Sequence, residues 1–340
     1  MKKVKVGIVG LGRLGSCHAK NIAYKIANAE LTAACSVREN ELEFAKRELG
    51  LVECYDDFEK MVKNADIEAV AIVSSSNFHN EHIQIALDAG KHVFTDKPLG
   101  LTMEECLQSQ EAVNKHKDQI FMIGFMRRYD PSYVYAKQKI NSGAIGKPFA
   151  VRCTSIDPEA TVEGAIVYGM TSGGLFLDMT THDIDLARWF LEDEPESVYT
   201  IGGAYMHKEF EKMRDADNAC AIMKFINGGF ATFYSGRDAL HGYHIETEII
   251  GPKGTIRIGA VPQKNLAMVF NEQGAVQECV SYFPERFAEA YLNEMQEFID
   301  CIQEGNQPGV GVKDGVECTR IAYAMTKSYR TGTVQLIRDF

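Results

Sequence analysis

A run of β-branched residues, Val4, Val6, Ile8 and Val9, leads without a break into Gly10-Leu11-Gly12-Arg13-Leu14-Gly15. The run suits a strand buried on both faces. The G-x-G-x-x-G spacing after it, followed by a helix-compatible stretch at 18–26, suits a dinucleotide-binding turn. In such a turn Gly10 permits the bend, Gly12 lets backbone approach a pyrophosphate, and Gly15 lets helix and strand pack closely. Arg13 and Leu14, within the turn, are counted with its glycines as cofactor-binding, and the N-terminus of the helix that follows adds amide donors and the positive end of its dipole. An ordinary tight strand-to-helix turn is the alternative reading of the same residues.

The pattern that follows is periodic. Strand-like stretches at 30–37, 67–73, 91–95 and 119–125 alternate with helical ones at 41–49, 57–62, 80–89 and 102–116. Gly90 is placed to end one helix, and Thr102 with Glu105 has the spacing of a capping box. Such alternation predicts a doubly wound parallel sheet. Past about residue 125 the strands follow one another, at 149–156, 197–205, 219–226, 229–235, 243–250 and 255–258. That predicts a mostly antiparallel sheet in an α+β domain. Asn227-Gly228 signals a type I′ hairpin turn, and further helices are expected at 131–140, 287–304 and 314–329. The boundary falls between 123 and 124, giving a dinucleotide-binding domain at 1–123 and a substrate-binding and oligomerisation domain at 124–340.

Charge and cysteine usage narrow the partners. A formal charge of −11 disfavours nucleic acid or an anionic membrane as the main ligand. No apolar run approaches the roughly 18 residues of a membrane span. The Met1-Lys2-Lys3 start leads into a short strand broken by glycines, which argues against a signal peptide. Nine scattered cysteines without a C-x-x-C pair fit free thiols in a cytoplasmic protein.

Three constellations bear chemistry. Asp96-Lys97-Pro98 follows a parallel strand at its carboxyl end, where such sheets bind ligands; Lys97 can donate to a substrate oxygen or be a surface turn lysine. Asp178 and His182 fall one helical turn apart on a shared face. A carboxylate there can orient an imidazole for proton abstraction from an alcohol; a dipole-favoured Asp beside a core His is the plainer reading. Arg127 and Arg128, before Asp130-Pro131, can bind substrate or make ion pairs. His79-x-x-His82 and His241-x-x-His244 have metal-like spacing but no third ligand, so no metal is expected.

In this order the pieces resemble the glucose–fructose oxidoreductase and inositol dehydrogenase family, over essentially the whole chain. Its glycine motif stands as Gly10, Gly12 and Gly15, and its E-K-P as Asp96-Lys97-Pro98. Its G-F-x-x-R stands as Gly124-Phe125-Met126-Arg127-Arg128, and its D-x-x-x-H as Asp178 and His182. The resemblance implies an N-terminal Rossmann domain and a C-terminal domain on a large, mostly antiparallel sheet. It implies an NAD-dependent dehydrogenase acting on CH–OH groups, with Lys97, Asp178 and His182 catalytic. Arg127, Asp157 and Tyr243 would line the substrate beside that triad. Ser74, Ser76, His79 and Asp96 would line the cofactor. A cyclic polyol is the implied substrate, myo-inositol oxidised to its 2-ketone being the first reading, and a homodimer or homotetramer the implied assembly. An NADP-linked dehydrogenase or reductase of scyllo-inositol or a sugar is one alternative; a non-catalytic dinucleotide-binding regulator is another.

Two departures matter. The family's T-P-N-x-x-H reads Ser74-Ser75-Ser76-Asn77-Phe78-His79. An NAD site also usually has an acid about 20 residues after the glycines; here Ser36 stands there, with Arg38 beyond it. Ser36 with Arg38 can accept a 2′-phosphate, and Glu39 is a nearby alternative acid. NAD is expected, and NADP stays open.

Overall fold

The computed structural model describes residues 2–259, 263–272 and 274–340. The chain divides into two compact units, Met1–Tyr129 with Glu289–Glu317, and Asp130–Ala288 with Cys318–Phe340. The expected boundary at 123/124 lies inside the first unit, and the return of 289–317 to that unit was not foreseen.

In the first unit, strands and helices alternate as β1 (Val4–Val9), α1 (Arg13–Tyr24), β2 (Ala29–Cys35), α2 (Glu39–Glu48), β3 (Glu53–Tyr55) and α3 (Phe58–Asn64). They continue as β4 (Ala69–Ile72), α4 (His79–Asp88), β5 (His92–Asp96), α5 (Met103–Lys115) and β6 (Phe121–Gly124). The six strands are parallel, in the order β3-β2-β1-β4-β5-β6, so the order reverses beside β1. That reversal opens a crevice at the carboxyl ends of β1 and β4. The ends of the helices follow side-chain chemistry. Asp57 caps α3 by accepting from Lys60 N, and Thr102 and Glu105 form the expected capping box on α5. β3, three half-buried residues, carries too little pattern to be read from sequence.

The helix Ala288–Glu304 supplies an apolar stripe to this unit, with Phe298 5.9 Å from Phe94 and Tyr291 edge-on to His18 at 5.5 Å. It also buries Glu294, whose Oε1 lies 3.6 Å from His18 Nε2. Burial pushes the imidazole down to about 3 and, with Asp96 adding repulsion, the carboxyl well above its usual range. Both groups are therefore neutral. For Glu294 the raised folded value means that stability is full below about pH 4.5 and falls as pH rises, because only the unfolded chain ionises. For His18 the sign is opposite: stability falls as pH drops below 6.5 toward 3, because only the unfolded chain takes the proton. Glu294→Gln removes the first effect alone. Thermal melts should show the variant gaining on the wild type as pH rises from ~5 to ~8, by up to about 1.4 kcal/mol per pH unit. A stability difference that does not change with pH over this range would show instead that Glu294 is ionised in the folded protein as it is in the unfolded chain.

The second unit opens with α6 (Pro131–Asn141), capped by Asp130, whose carboxylate accepts from Ser132 N and Arg286 Nη1. There follow β7 (Ala150–Pro158), α7 (Val162–Ser172), α8 (Thr181–Leu191), β8 (Pro195–Gly203), β9 (Asn218–Phe225), β10 (Phe230–Ala239), β11 (His244–Gly251) and β12 (Gly254–Ile258). A small hairpin, β13 (Val269–Asn271) and β14 (Gly274–Val276), and a short edge strand, β15 (Gln335–Leu336), complete the strands. The seven-stranded sheet runs β12-β11-β7-β10-β9-β8-β15, antiparallel except for the β7–β10 pair. The β9–β10 hairpin is where expected, but its turn is not type I′. That type needs positive φ at both central residues, whereas only Gly228 has it, at +93°. Gly228 N donates to Phe225 O and Phe225 N to Gly229 O, closing a three-residue loop.

Candidate active site

The glycine turn is built to receive a phosphate-bearing ligand. Gly10 has φ +84°, and a Cβ there would lie 2.4 Å from Val73 O. At Gly12 a Cβ would meet nothing within 4 Å, so the turn opens onto space above the start of α1. Gly12 is also the cap of α1 and brings no side chain to its first-turn amides; no acid stands in that turn. Exposed Arg13 and half-buried Leu14 begin the helix, and Gly15 packs under Gly10. The positive helix end thus faces open space, which fits a pyrophosphate.

At the end of β2 the geometry differs from the sequence reading. Ser36 is buried, and its hydroxyl donates to Glu41 Oε2 at 2.7 Å while accepting from Arg38 N. Leu11 N, inside the glycine turn, donates to the same Glu41 oxygen at 3.1 Å. Arg38 is 71% exposed, its Nη1 3.6 Å from Glu41 Oε1, and Glu39 is exposed. The acid that reaches the glycine turn is Glu41, which a search along the strand for a carboxylate at fixed spacing passes over.

Next to it, the loop after β4 and the turn after β5 are joined through His79. This buried ring lies 2.7 Å by Nδ1 from Pro98 O and 2.9 Å by Nε2 from Ser74 O. It braces the backbone that carries Lys97, which is half-buried and joined to Pro98 by a cis peptide. Ser74 Oγ meets His82 Nδ1 at 3.1 Å, and Ser76 is buried beside them in sequence. His82 packs against Phe58 and Phe78, and burial pushes it down to about 4. His79 and His82 therefore serve as structural braces, and among the described residues no cluster of three or more His, Cys, Asp or Glu has a metal-binding arrangement. Asp96 ends β5; Arg127, buried, lies in the turn Met126–Tyr129 after β6, and Arg128 pairs with Asp314 of the same unit.

The second unit holds the carboxylate and imidazole. Gly173 and Gly174, at φ +84° and +87°, end α7 and admit a π-helical turn, Phe176–Thr180, that runs into α8. Asp178 lies in this turn and His182 in the first turn of α8, both half-buried. The regular α-turn read from their spacing is thus a π-to-α junction, a feature common at functional sites. Its register is held by Asp178 N donating to Gly174 O and by Thr180 Oγ1 meeting Ser235 Oγ of β10.

Facing Asp178 is Arg237, 2% exposed, whose Nη2 donates to Asp178 Oδ2 at 3.0 Å and whose Nη1 lies 4.0 Å from Asp157 Oδ2. Burial alone would lower this guanidinium's pKa, but Asp178 and Asp157 raise it. The guanidinium thus stays charged where it meets the Asp178 carboxylate. The register between β10 and β7 slips between Gly236 and Ala239, which re-aims Arg237. Sequence reasoning missed this residue, yet a signal existed: Ala231, Phe233 and Ser235 mark the buried side of β10, and 237 continues their period. A charge at an inward position needs a partner. Tyr243, also expected to line the substrate, is buried with its ring edge-on to Tyr282 and Phe287. His244 beside it contacts His241 at 3.2 Å and burial lowers its pKa.

Residues 4–125 match an oxidoreductase family described as an NAD-binding Rossmann fold, and residues 137–336 match that family's C-terminal alpha/beta domain. A myo-inositol 2-dehydrogenase of Thermotoga maritima is 34% identical over 325 residues, 96% of each chain. The structure of a scyllo-inositol dehydrogenase from Lactobacillus casei with bound NAD(H) and scyllo-inositol is 45% identical, with a TM-score of 0.95 over 99% of this chain and 100% of that one. A myo-inositol 2-dehydrogenase from Lactobacillus plantarum is 38% identical, with a TM-score of 0.96 over 98% and 99%. The glycine turn, the lysine after β5 and the Asp–His junction thus stand in a chain matched along both of its halves, and the protein belongs to the Gfo/Idh/MocA family of oxidoreductases, with an NAD-binding Rossmann domain at its N-terminus.

Proposed function

We propose that the protein oxidises a ring hydroxyl of an inositol to the ketone with NAD. The observation that carries this is Asp178, paired with a buried guanidinium in the turn that leads into the helix of half-buried His182. It stands in a chain 45% identical to an enzyme whose structure holds NAD(H) and scyllo-inositol. When bound, NAD supplies the hydride acceptor. Gly10, Gly12 and the first turn of α1 would hold its pyrophosphate, and Ser74 and Asp96–Lys97 would line its nicotinamide end. His182 takes the hydroxyl proton on a ring nitrogen, and Asp178 orients the ring and stabilises the imidazolium. Arg237 keeps Asp178 ionised, and Lys97 Nζ donates to the reacting oxygen as negative charge develops there. Arg127, Asp157 and Tyr243 would position the remaining hydroxyls.

Myo-inositol is the first substrate reading, and the 45% identity to a scyllo-inositol enzyme favours scyllo-inositol as the second. The two differ at one carbon, and oxidation there gives the same ketone from both. A panel of myo-, scyllo- and D-chiro-inositol with NAD and with NADP, followed by NADH or NADPH absorbance, tests the proposal. Turnover of at least one inositol with NAD is expected. NAD binding without turnover of any polyol would overturn it in favour of a regulator.

The same reading extends to assembly. Tyr199, Ile201, Ile222, Phe230 and Tyr234 lie exposed on β8, β9 and β10. Register places Tyr199 beside Ile222, and Ile201 and Tyr234 on either side of Cys220, so they share one face. A contiguous apolar sheet face fits pairing with a second copy; light scattering should give a dimer or tetramer, and a monomer would refute it. No helix among the described residues is long and apolar enough to cross a membrane. All nine cysteines are free, which supports the cytoplasmic reading.

A further inference from the structure

We propose that Glu41, in the first turn of α2, is the acid that meets the adenosine ribose of the cofactor and sets this chain's preference for NAD over NADP. The inference rests on the NAD site lying at the glycine turn. A Rossmann unit selects NAD through a carboxylate that accepts from the ribose 2′-hydroxyl and repels a 2′-phosphate. That carboxylate usually ends the second strand; here Ser36 does, and it cannot play the part. Its hydroxyl is engaged on both sides, donating to Glu41 Oε2 and accepting from Arg38 N.

Glu41 reaches the same place from the helix. One of its oxygens is fixed by two donors, Leu11 N between Gly10 and Gly12, and Ser36 Oγ at the end of β2. Those donors belong to the two elements that wall the crevice beyond the carboxyl ends of β1 and β2, where the adenosine ribose of a dinucleotide lies. The side chain is 12% exposed, so its place is set by packing and hydrogen bonds rather than by solvent. A short serine at 36 leaves room for the longer side chain to arrive from 41 and gives it a hydroxyl to hold. Glu39, the alternative acid by sequence, is exposed. Arg38 is already drawn toward Glu41 at 3.6 Å. An incoming 2′-phosphate would meet a fixed carboxylate and gain Arg38 only by parting that pair.

The rival role for Glu41 is a brace that closes the glycine turn onto β2. Glu41→Gln separates the two, since the amide still accepts from Leu11 N but carries no charge. Binding of ADP-ribose and of its 2′-phosphate to the protein without substrate, measured by calorimetry, reads the effect independently of turnover. The wild type should prefer ADP-ribose. In the variant, affinity for ADP-ribose should fall about tenfold and affinity for the 2′-phosphate should rise about tenfold. Adding Arg38→Ala should remove that rise. Equal weakening of both ligands would make Glu41 a brace only, and unchanged binding of both, with an unchanged melting temperature, would free it of either role; each overturns the inference. A wild type that binds neither fragment would refute the placing of the NAD site itself.

Discussion

Replacing His182 by alanine lowers kcat by at least ~100-fold, the span expected when a general base is lost, and leaves NAD affinity unchanged. The ring sits in the first turn of α8, directly after a π-helical turn that carries Asp178. Asp178 is in turn fixed by a charge-assisted bond to buried Arg237 at 3.0 Å. In the proposed relay, guanidinium to carboxylate to imidazole, the histidine is the terminal group able to take a proton from an alcohol. The glycine turn and Glu41 belong to the other unit, so a fluorescence titration with NAD should give the wild-type affinity. Steady-state turnover on the best inositol checks the first half of the expectation. Near-normal kcat would remove His182 from the proton relay and leave Asp178–Arg237 as a structural ion pair.

The parts of the fold visible in the sequence are those written in local periodicity. The βα alternation up to Gly124 and the capping box at Thr102 follow from residue type and spacing alone, and both are found where expected. Periodicity shows that a helix has an apolar stripe but not which unit the stripe covers. For that reason the helix Ala288–Glu304 was placed with the second domain, although from Glu289 on it belongs to the first unit. The π-helical turn at Phe176–Thr180 is hidden for another reason: a single added residue per turn leaves no compositional trace, and only Gly173-Gly174 before it hinted at irregular backbone.

Of the residues proposed for the site, those carried by short motifs are legible in the sequence and those acting across elements are not. Lys97, Asp178 and His182 announce themselves by spacing. Arg237 and Glu41 act at long range: Arg237 reaches Asp178 across 59 positions and Glu41 reaches Leu11 across 30. Each nonetheless obeys a rule that can be applied beforehand. Arg237 is a charge on the buried side of a strand, and Glu41 is a carboxylate placed near a Rossmann turn that lacks its usual acid. His79, which the motif places at the cofactor, has both ring nitrogens facing backbone carbonyl oxygens, at Pro98 and Ser74, a brace between two turns that the motif does not reveal.

That brace bears on Lys97, where replacement by methionine should cost about 3 kcal/mol of transition-state stabilisation, on the order of 100-fold in turnover. Lys97 follows the last residue of β5, and the residue after it is held through its carbonyl by His79. Its backbone is therefore fixed from both sides. Methionine keeps much of the length and apolar stem of the side chain and loses only the ammonium. As hydride leaves the ring carbon, the hydroxyl oxygen gains negative charge before its proton is fully transferred. A positioned ammonium stabilises that oxygen more than it stabilises the bound alcohol, so its loss falls on kcat. The deficit should persist at saturating inositol, with KM changed far less. Lysine to arginine should not restore turnover, because the planar guanidinium cannot present a point charge at the same atom. If saturating substrate returns kcat to the wild-type value, Lys97 contributes binding alone, and the developing charge is met by His182 without it.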